Sequence, residues 1–176
     1  MEETHRILFS KQAIEQRVAE LAQDISRDYA GKEVVAVCIL KGALSFFTDL
    51  VRSITVPVTV DLIQASSYGS GTVSSRKIVI SKDISTDIKG KHVLLIDTII
   101  DTGETMAYLY KRFLEQGTAS LAVAGLLDKK PRRTVEVPIA YIGFEIPDLF
   151  VVGYGMDYGE QYRNLPYIAF LDNDTC

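Results

Sequence analysis

Histidine and cysteine are scarce in this sequence: His5, His92, Cys38 and Cys176 are the only ones among 176 residues. Four such residues, with Cys38 inside an apolar run and Cys176 last, assemble neither a soft-ligand metal cage nor a disulfide framework. A reducing cytoplasm fits best. An excess of basic charge is missing too, since the net charge is −4 and the isoelectric point is near 5.2. That balance argues against a nucleic-acid-binding face. No apolar run approaches the roughly 20 residues that span a bilayer, and Met1 to Arg6 lacks the basic start and apolar stretch of a signal peptide. The expectation is a soluble protein with no membrane partner.

What is present is a core. Hydrophobic residues make up 47% of the chain and mean hydropathy is +0.12, which excludes disorder and suits one domain over residues 1–176.

The chain is organised around Val93-Leu94-Leu95-Ile96-Asp97-Thr98-Ile99-Ile100-Asp101-Thr102-Gly103-Glu104-Thr105-Met106. The unbroken apolar run Val93–Ile96 reads as a strand buried on both faces, and an acid, a Gly-containing turn and an amphipathic helix follow it. In an open parallel sheet such a strand end is a ligand site. Backbone N–H groups point outward there without partners, and the helix dipole adds positive potential. The turn from Asp101 to Thr105 therefore suits a phosphate monoester, with Gly103 letting the backbone approach closely. Asp-Thr-Gly by itself is equally a plain turn with Thr102 as helix N-cap.

Around this stretch, Ile14, Val18, Leu21, Ile25 and Tyr29 recur at helical spacing, with Ser10 placed to cap and Gly31 to end the helix. Val34–Leu40 is a second continuously apolar strand, closed by Lys41-Gly42 and followed by a helix through Phe46, Phe47, Leu50 and Val51. Val58–Gln64 reads as a strand near a sheet edge. Ser66 to Ser75 is a hydroxyl- and glycine-rich segment, either a hairpin tip or a lid over a site, with Gly69 and Gly71 giving it freedom. Lys77–Lys82 returns as a strand and Ala119–Leu127 is another buried one. Asp128 to Arg133 is a basic loop. Ile139–Phe144 and Leu149–Tyr154 read as strands, and a polar, aromatic segment precedes a last short strand from Tyr167 to Leu171. Strands alternating with helices imply an α/β fold, a parallel twisted sheet flanked by helices; the segments beyond Leu127 break the alternation and suggest a small hood.

Asp97, two apolar residues further on Asp101-Thr102-Gly103, then Thr105 resembles the phosphoribosyl pyrophosphate (PRPP) signature of the type I phosphoribosyltransferases. Leu40-Lys41-Gly42, Ser66-Ser67-Tyr68-Gly69, Asp128-Lys129 with the Arg132-Arg133 pair, and Gly143-Phe144-Glu145-Ile146-Pro147-Asp148 through Tyr162-Arg163-Asn164-Leu165-Pro166 extend the likeness to the bacterial hypoxanthine phosphoribosyltransferases. The resemblance covers nearly the whole chain. It implies the type I fold, its hood drawn from the N- and C-terminal segments, and transfer of the 5-phosphoribosyl group of PRPP to N9 of a 6-oxopurine with Mg²⁺ present. It assigns Asp101 as the base for the purine N7 proton, and Asp97, Thr98 and Asp101–Thr105, Glu104 included, to PRPP and its 5-phosphate. Lys41, Gly42 and Arg163 go to pyrophosphate, and Ser67 and Tyr68 to the lid. Lys129, Phe150, Val151 and Asp157 go to the purine, with Asp157 and Asp97 helping the metal. A homodimer or homotetramer is implied as well.

One departure stands out. The family usually carries Glu-Asp where this chain has Asp97-Thr98. A neutral hydroxyl in place of an acid still bonds a ribose hydroxyl but brings no charge; a charge-assisted hydrogen bond contributes roughly 1.5–3 kcal/mol, so PRPP use is expected to weaken by about one to two orders of magnitude. Arg76, where family lids commonly carry Gly, is expected to stay solvated. Two other readings remain open at this point: an enzyme preferring guanine or xanthine, and a PRPP-binding regulator without catalysis.

Overall fold

The computed structural model describes residues 5–68 and 77–171. Its elements run β1 (His5–Phe9), α1 (Lys11–Asp28), β2 (Val34–Leu40), α2 (Leu44–Ser53), β3 (Val58–Tyr68), β4 (Lys77–Lys82), β5 (His92–Ile100), α3 (Glu104–Glu115), β6 (Ser120–Asp128), β7 (Tyr141–Glu145), β8 (Val151–Val152) and β9 (Ile168–Leu171).

Six strands form the main sheet in the order β4-β3-β2-β5-β6-β7. All neighbours pair in parallel except β4, which returns antiparallel along β3 as an edge hairpin. The apolar runs lack alternation because both faces of the sheet are covered. Val34, Ala36 and Cys38 of β2 join Leu94 and Ile96 of β5 against α1 and α2. Val35, Val37 and Ile39 join Val93 and Leu95 against α3. Phe46 of α2 and Phe113 of α3 are fully buried on opposite faces, each adding roughly 1.5–3 kcal/mol of burial. At the start of α1, Ser10 Oγ accepts from Ala13 N–H at 3.2 Å, satisfying one of the donors a helix start leaves over.

A second, three-stranded antiparallel sheet has the order β1-β9-β8 and joins both ends of the described chain. β1 carries no clear alternation and is not legible as a strand beforehand. Three strand boundaries need correction. β3 lies near the sheet edge as expected, next to β4, but does not stop at Gln64 and continues to Tyr68 along that neighbour. β5 does not stop at Ile96 but runs through Asp97 and Thr98 to Ile100. The stretch Leu149–Tyr154 keeps only Val151 and Val152 as strand, since Gly153, Tyr154 and Gly155 turn the chain with φ of +93°, +50° and +99°. The lid residues Gly69 and Gly71, and Arg76, lie outside the described residues.

At the base of the β3–β4 hairpin, Asp61 is 7% exposed. Burial alone would push its carboxyl up, but hydrogen bonds from Thr86, Leu62 and Ser85 outweigh it and hold the group well below the usual carboxylate range. The backbone N–H groups of Leu62, Ser85 and Thr86 donate at 2.7, 2.9 and 2.8 Å. Folded Asp61 thus binds fewer protons than unfolded Asp61, so its stabilisation is present above the unfolded value of about pH 4 and is lost as the pH falls below it. Asp61→Asn should cost about 1–3 kcal/mol at neutral pH and flatten the acid limb of the stability curve. Denaturant titrations at several pH values check this, and parallel curves for the two proteins would refute it.

Candidate active site

The C-terminal ends of the parallel strands meet over two adjoining hollows of about 230 and 830 Å³. The smaller is floored by the turn after β5, with Asp97, Asp101, Thr102, Gly103 and Thr105 in its wall. Gly103 starts α3 with φ +87° and is its N-cap, a position that sequence reading offered to Thr102. Thr102 Oγ1 instead accepts from Glu104 N–H at 3.4 Å. Glu104 opens the helix, where an acid suits the dipole, and does not line either hollow.

The turn is held from outside by the segment after the basic loop. Thr134 and Val135 donate their N–H groups to the Thr102 carbonyl at 2.9 and 3.1 Å. Arg133 donates from Nε to the Asp101 carbonyl at 3.0 Å and from Nη2 to the Ile100 carbonyl at 3.2 Å, and the same nitrogen pairs with Asp128. Asp128 is 3% exposed. A Cβ at Gly103 would sit 2.5 Å from the Val135 carbonyl oxygen, so only glycine admits this close approach. The Arg132-Arg133 pair contributes to the likeness, but sequence reading gave Arg133 no place of its own.

The larger hollow gathers Lys41, Gly42, Asp101, Lys129, Phe150, Val151, Asp157 and Arg163. Asp101 Oδ1 is closed off from solvent and receives no hydrogen bond among the described residues; Arg132 Nε stands 3.4 Å from it. Lys129 is 7% exposed, with Nζ 3.6 Å from Asp148 Oδ1. Phe150 is exposed and meets Tyr158 edge to face at 5.6 Å, which leaves a ring available at the wall. Arg163 donates to the Gly155 carbonyl and pairs with Asp157, both at 2.8 Å. Ser67 and Tyr68 end β3, beside the neighbouring Ser66, which lines the hollow.

Asp97 and Thr98 part ways. Asp97 faces the smaller hollow, and burial pushes its carboxyl up to about 7 although the Thr98 and Ile99 N–H groups oppose the shift. Thr98 is fully buried and donates from Oγ1 to the Gly42 carbonyl at 2.9 Å. The ribose contact expected of Thr98 is therefore not offered, because alternation along β5 turns its side chain inward, beneath the loop after β2. A Cβ at Gly155 would sit 2.1 Å from the same Gly42 oxygen, so that carbonyl is fixed from two sides. Cys38 is no nucleophile: burial, with Asp97 adding to it, pushes its thiol up to about 12.

The model of the phosphoribosyl transferase domain matches residues 6–159. This chain belongs to the phosphoribosyltransferase family. It is 44% identical over 171 residues to a hypoxanthine phosphoribosyltransferase of Salmonella typhimurium, covering 96% of each chain. It is 43% identical over 169 residues to a hypoxanthine-guanine phosphoribosyltransferase of Streptococcus thermophilus, covering 96% of this chain and 94% of the relative. Among solved structures, a hypoxanthine-guanine phosphoribosyltransferase of Bacillus anthracis superposes with a TM-score of 0.90 at 42% identity, over 98% of this chain and 100% of the other. A hypoxanthine phosphoribosyltransferase of Trypanosoma cruzi in a ternary substrates complex gives 0.93 at 36%, over 99% and 98%. The architecture is the type I phosphoribosyltransferase fold.

Among the described residues no helix is long and apolar enough to cross a membrane, and no three acids, histidines or cysteines converge as metal ligands.

Proposed function

We propose that this phosphoribosyltransferase transfers the 5-phosphoribosyl group of PRPP to N9 of hypoxanthine, and of guanine, releasing pyrophosphate in purine salvage. The observation that carries the reading is the Asp101 carboxylate in the wall of a cleft that also holds Lys129, with Arg132 Nε 3.4 Å from its Oδ1. A carboxylate in that wall is suited to take the proton a purine loses as N9 becomes nucleophilic. The Lys129 ammonium donates to a 6-oxo group, whereas a 6-amino group would present it with another donor, so adenine is disfavoured. Phe150 supplies the stacking face.

In the reaction the N9–C1 bond to ribose forms and the C1–oxygen bond to pyrophosphate breaks. The electron pair leaves with pyrophosphate and the base's proton goes to Asp101. Positive charge builds on the sugar and negative charge on the leaving group. Thr102 to Thr105 hold the 5-phosphate, Asp97 faces the ribose side, and Lys41, the Gly42 backbone and Arg163 take pyrophosphate. Closure of the Ser67-Tyr68 segment keeps water from the sugar cation.

Mg²⁺ takes one or two carboxylates and completes its shell with water and substrate phosphates; Asp157 in the wall of the larger hollow or Asp97 in that of the smaller would supply a carboxylate of that kind. Bound there, the ion would offset charge on the departing pyrophosphate. An assembly of two or four copies and a cytoplasmic setting belong to the same proposal.

The test is pyrophosphate release from Mg²⁺-PRPP with hypoxanthine, guanine, xanthine or adenine supplied separately. Turnover with hypoxanthine and little with adenine is expected. PRPP binding without turnover on any base would favour a regulator instead. Thr98 acts through the Gly42 carbonyl, so Thr98→Val should raise the KM for PRPP about 5- to 10-fold, the equivalent of one lost hydrogen bond, while Thr98→Ser stays near the parent. Equal KM values for all three proteins would dismiss that role.

A further inference from the structure

Glu160 lies outside every role assigned so far, yet its carboxylate joins both cations placed at pyrophosphate. Oε2 is 3.1 Å from Lys41 Nζ and Oε1 is 3.2 Å from Arg163 Nη2. Those cations come from distant parts of the chain, and one carboxylate spans them. Both hold its carboxyl below the ordinary range.

The placement is built into the backbone. Tyr158 and Gln161 exchange N–H···O bonds of 3.3 and 3.1 Å, closing a tight turn. Within it Gly159 has φ +59° and Glu160 φ +65°. The Glu160 N–H donates to Asp157 Oδ2 at 2.9 Å, which ties the tip to the acid already pairing with Arg163. The turn therefore aims Glu160 back across the mouth of the cleft.

We propose that Glu160 is an internal competitor for the pyrophosphate subsite, its carboxylate occupying the anion position between Lys41 and Arg163 until a diphosphate displaces it. The inference rests on the pyrophosphate assignment made above for Lys41 and Arg163. Its chemistry is simple exchange: a diphosphate offers more charge and more acceptor oxygens than one carboxylate and takes both cations. The displaced side chain is already two-thirds exposed and swings into water. Arg163 keeps Asp157 throughout, while Lys41 changes partner. Such a group weakens binding of PRPP and of product pyrophosphate alike, and so hastens release of the product.

The experiment is binding of inorganic pyrophosphate, with Mg²⁺, to the full chain and to Glu160→Gln and Lys41→Gln, measured by calorimetry. Glu160→Gln keeps the shape and leaves the cost of the left-handed backbone unchanged, and should tighten pyrophosphate binding about 3- to 10-fold, the equivalent of freeing two exposed ion pairs. The KM for PRPP should fall in parallel. Unchanged or weaker binding would overturn the inference, since a carboxylate that merely organises the cations weakens the site when neutralised. Lys41→Gln should bind pyrophosphate more weakly than the parent. If it does not, the assignment of Lys41 to pyrophosphate fails, and that result is separate from any effect at Glu160.

Discussion

Asp101→Asn should lower kcat with hypoxanthine by about 10²- to 10⁴-fold, the range over which a positioned proton acceptor contributes. The KM for PRPP should change little. The amide has the carboxylate's shape but cannot accept a proton, and Arg132, whose Nε is 3.4 Å from Asp101 Oδ1, loses its charged neighbour. Steady-state kinetics with saturating PRPP, alongside thermal unfolding to establish that the fold is intact, decide the matter. A variant within about 5-fold of the parent would leave the proton with another group and remove Asp101 from the chemistry.

Arg133→Met should destabilise the protein by about 3–5 kcal/mol, the cost of leaving a buried charge without its partner. Asp128 is 3% exposed, and Arg133 is its ion-pair partner. The substitution also removes the Arg133 donors from the Asp101 carbonyl and from the Ile100 carbonyl, which keeps the Lys129 N–H at 3.0 Å, so the turn proposed to hold the 5-phosphate should loosen and the KM for PRPP should rise. Adding Asp128→Asn to Arg133→Met should restore part of the loss, because the amide removes the uncompensated charge. Denaturant midpoints for the two singles and the double form a cycle. Strictly additive losses would mean that the pair is not what Arg133 contributes.

The strands that carry the site were legible because both of their faces are buried. Val34–Leu40 and Val93–Ile96 are uniformly apolar for that reason, and Ser10 marked the start of α1 by its chemistry. The continuation of β5 was hidden because Asp97 and Thr98 are polar, although alternation along the strand sends one to the cleft and the other inward. The turn at Asp101–Thr105 could be read as an anion site from glycine, hydroxyls and a following helix. What fastens that turn could not: Arg133 bonds to main-chain carbonyls, which carry no sequence signature, and to Asp128 at the end of β6. Glu160 was equally silent, since its two cations lie close only after the chain has folded. The swap of the usual acid for Thr98 was visible, but its consequence was not. Only the geometry turns a missing ribose contact into a pin on Gly42.

The sheet β1-β9-β8 pairs His5 with Leu171 and, through β9, carries Val151 and Val152. Contacts so distant along the chain must close a very long loop before they return any free energy. The Asp101–Thr105 turn, by contrast, depends on β5, α3, β6 and the segment through Val135 that follows β6, which are neighbours in sequence. During synthesis β1 thus waits unpaired until Ile168–Leu171 has emerged, and the wall bearing Phe150 and Val151 waits with it. A growing chain can form the Asp101–Thr105 turn before the wall opposite it exists.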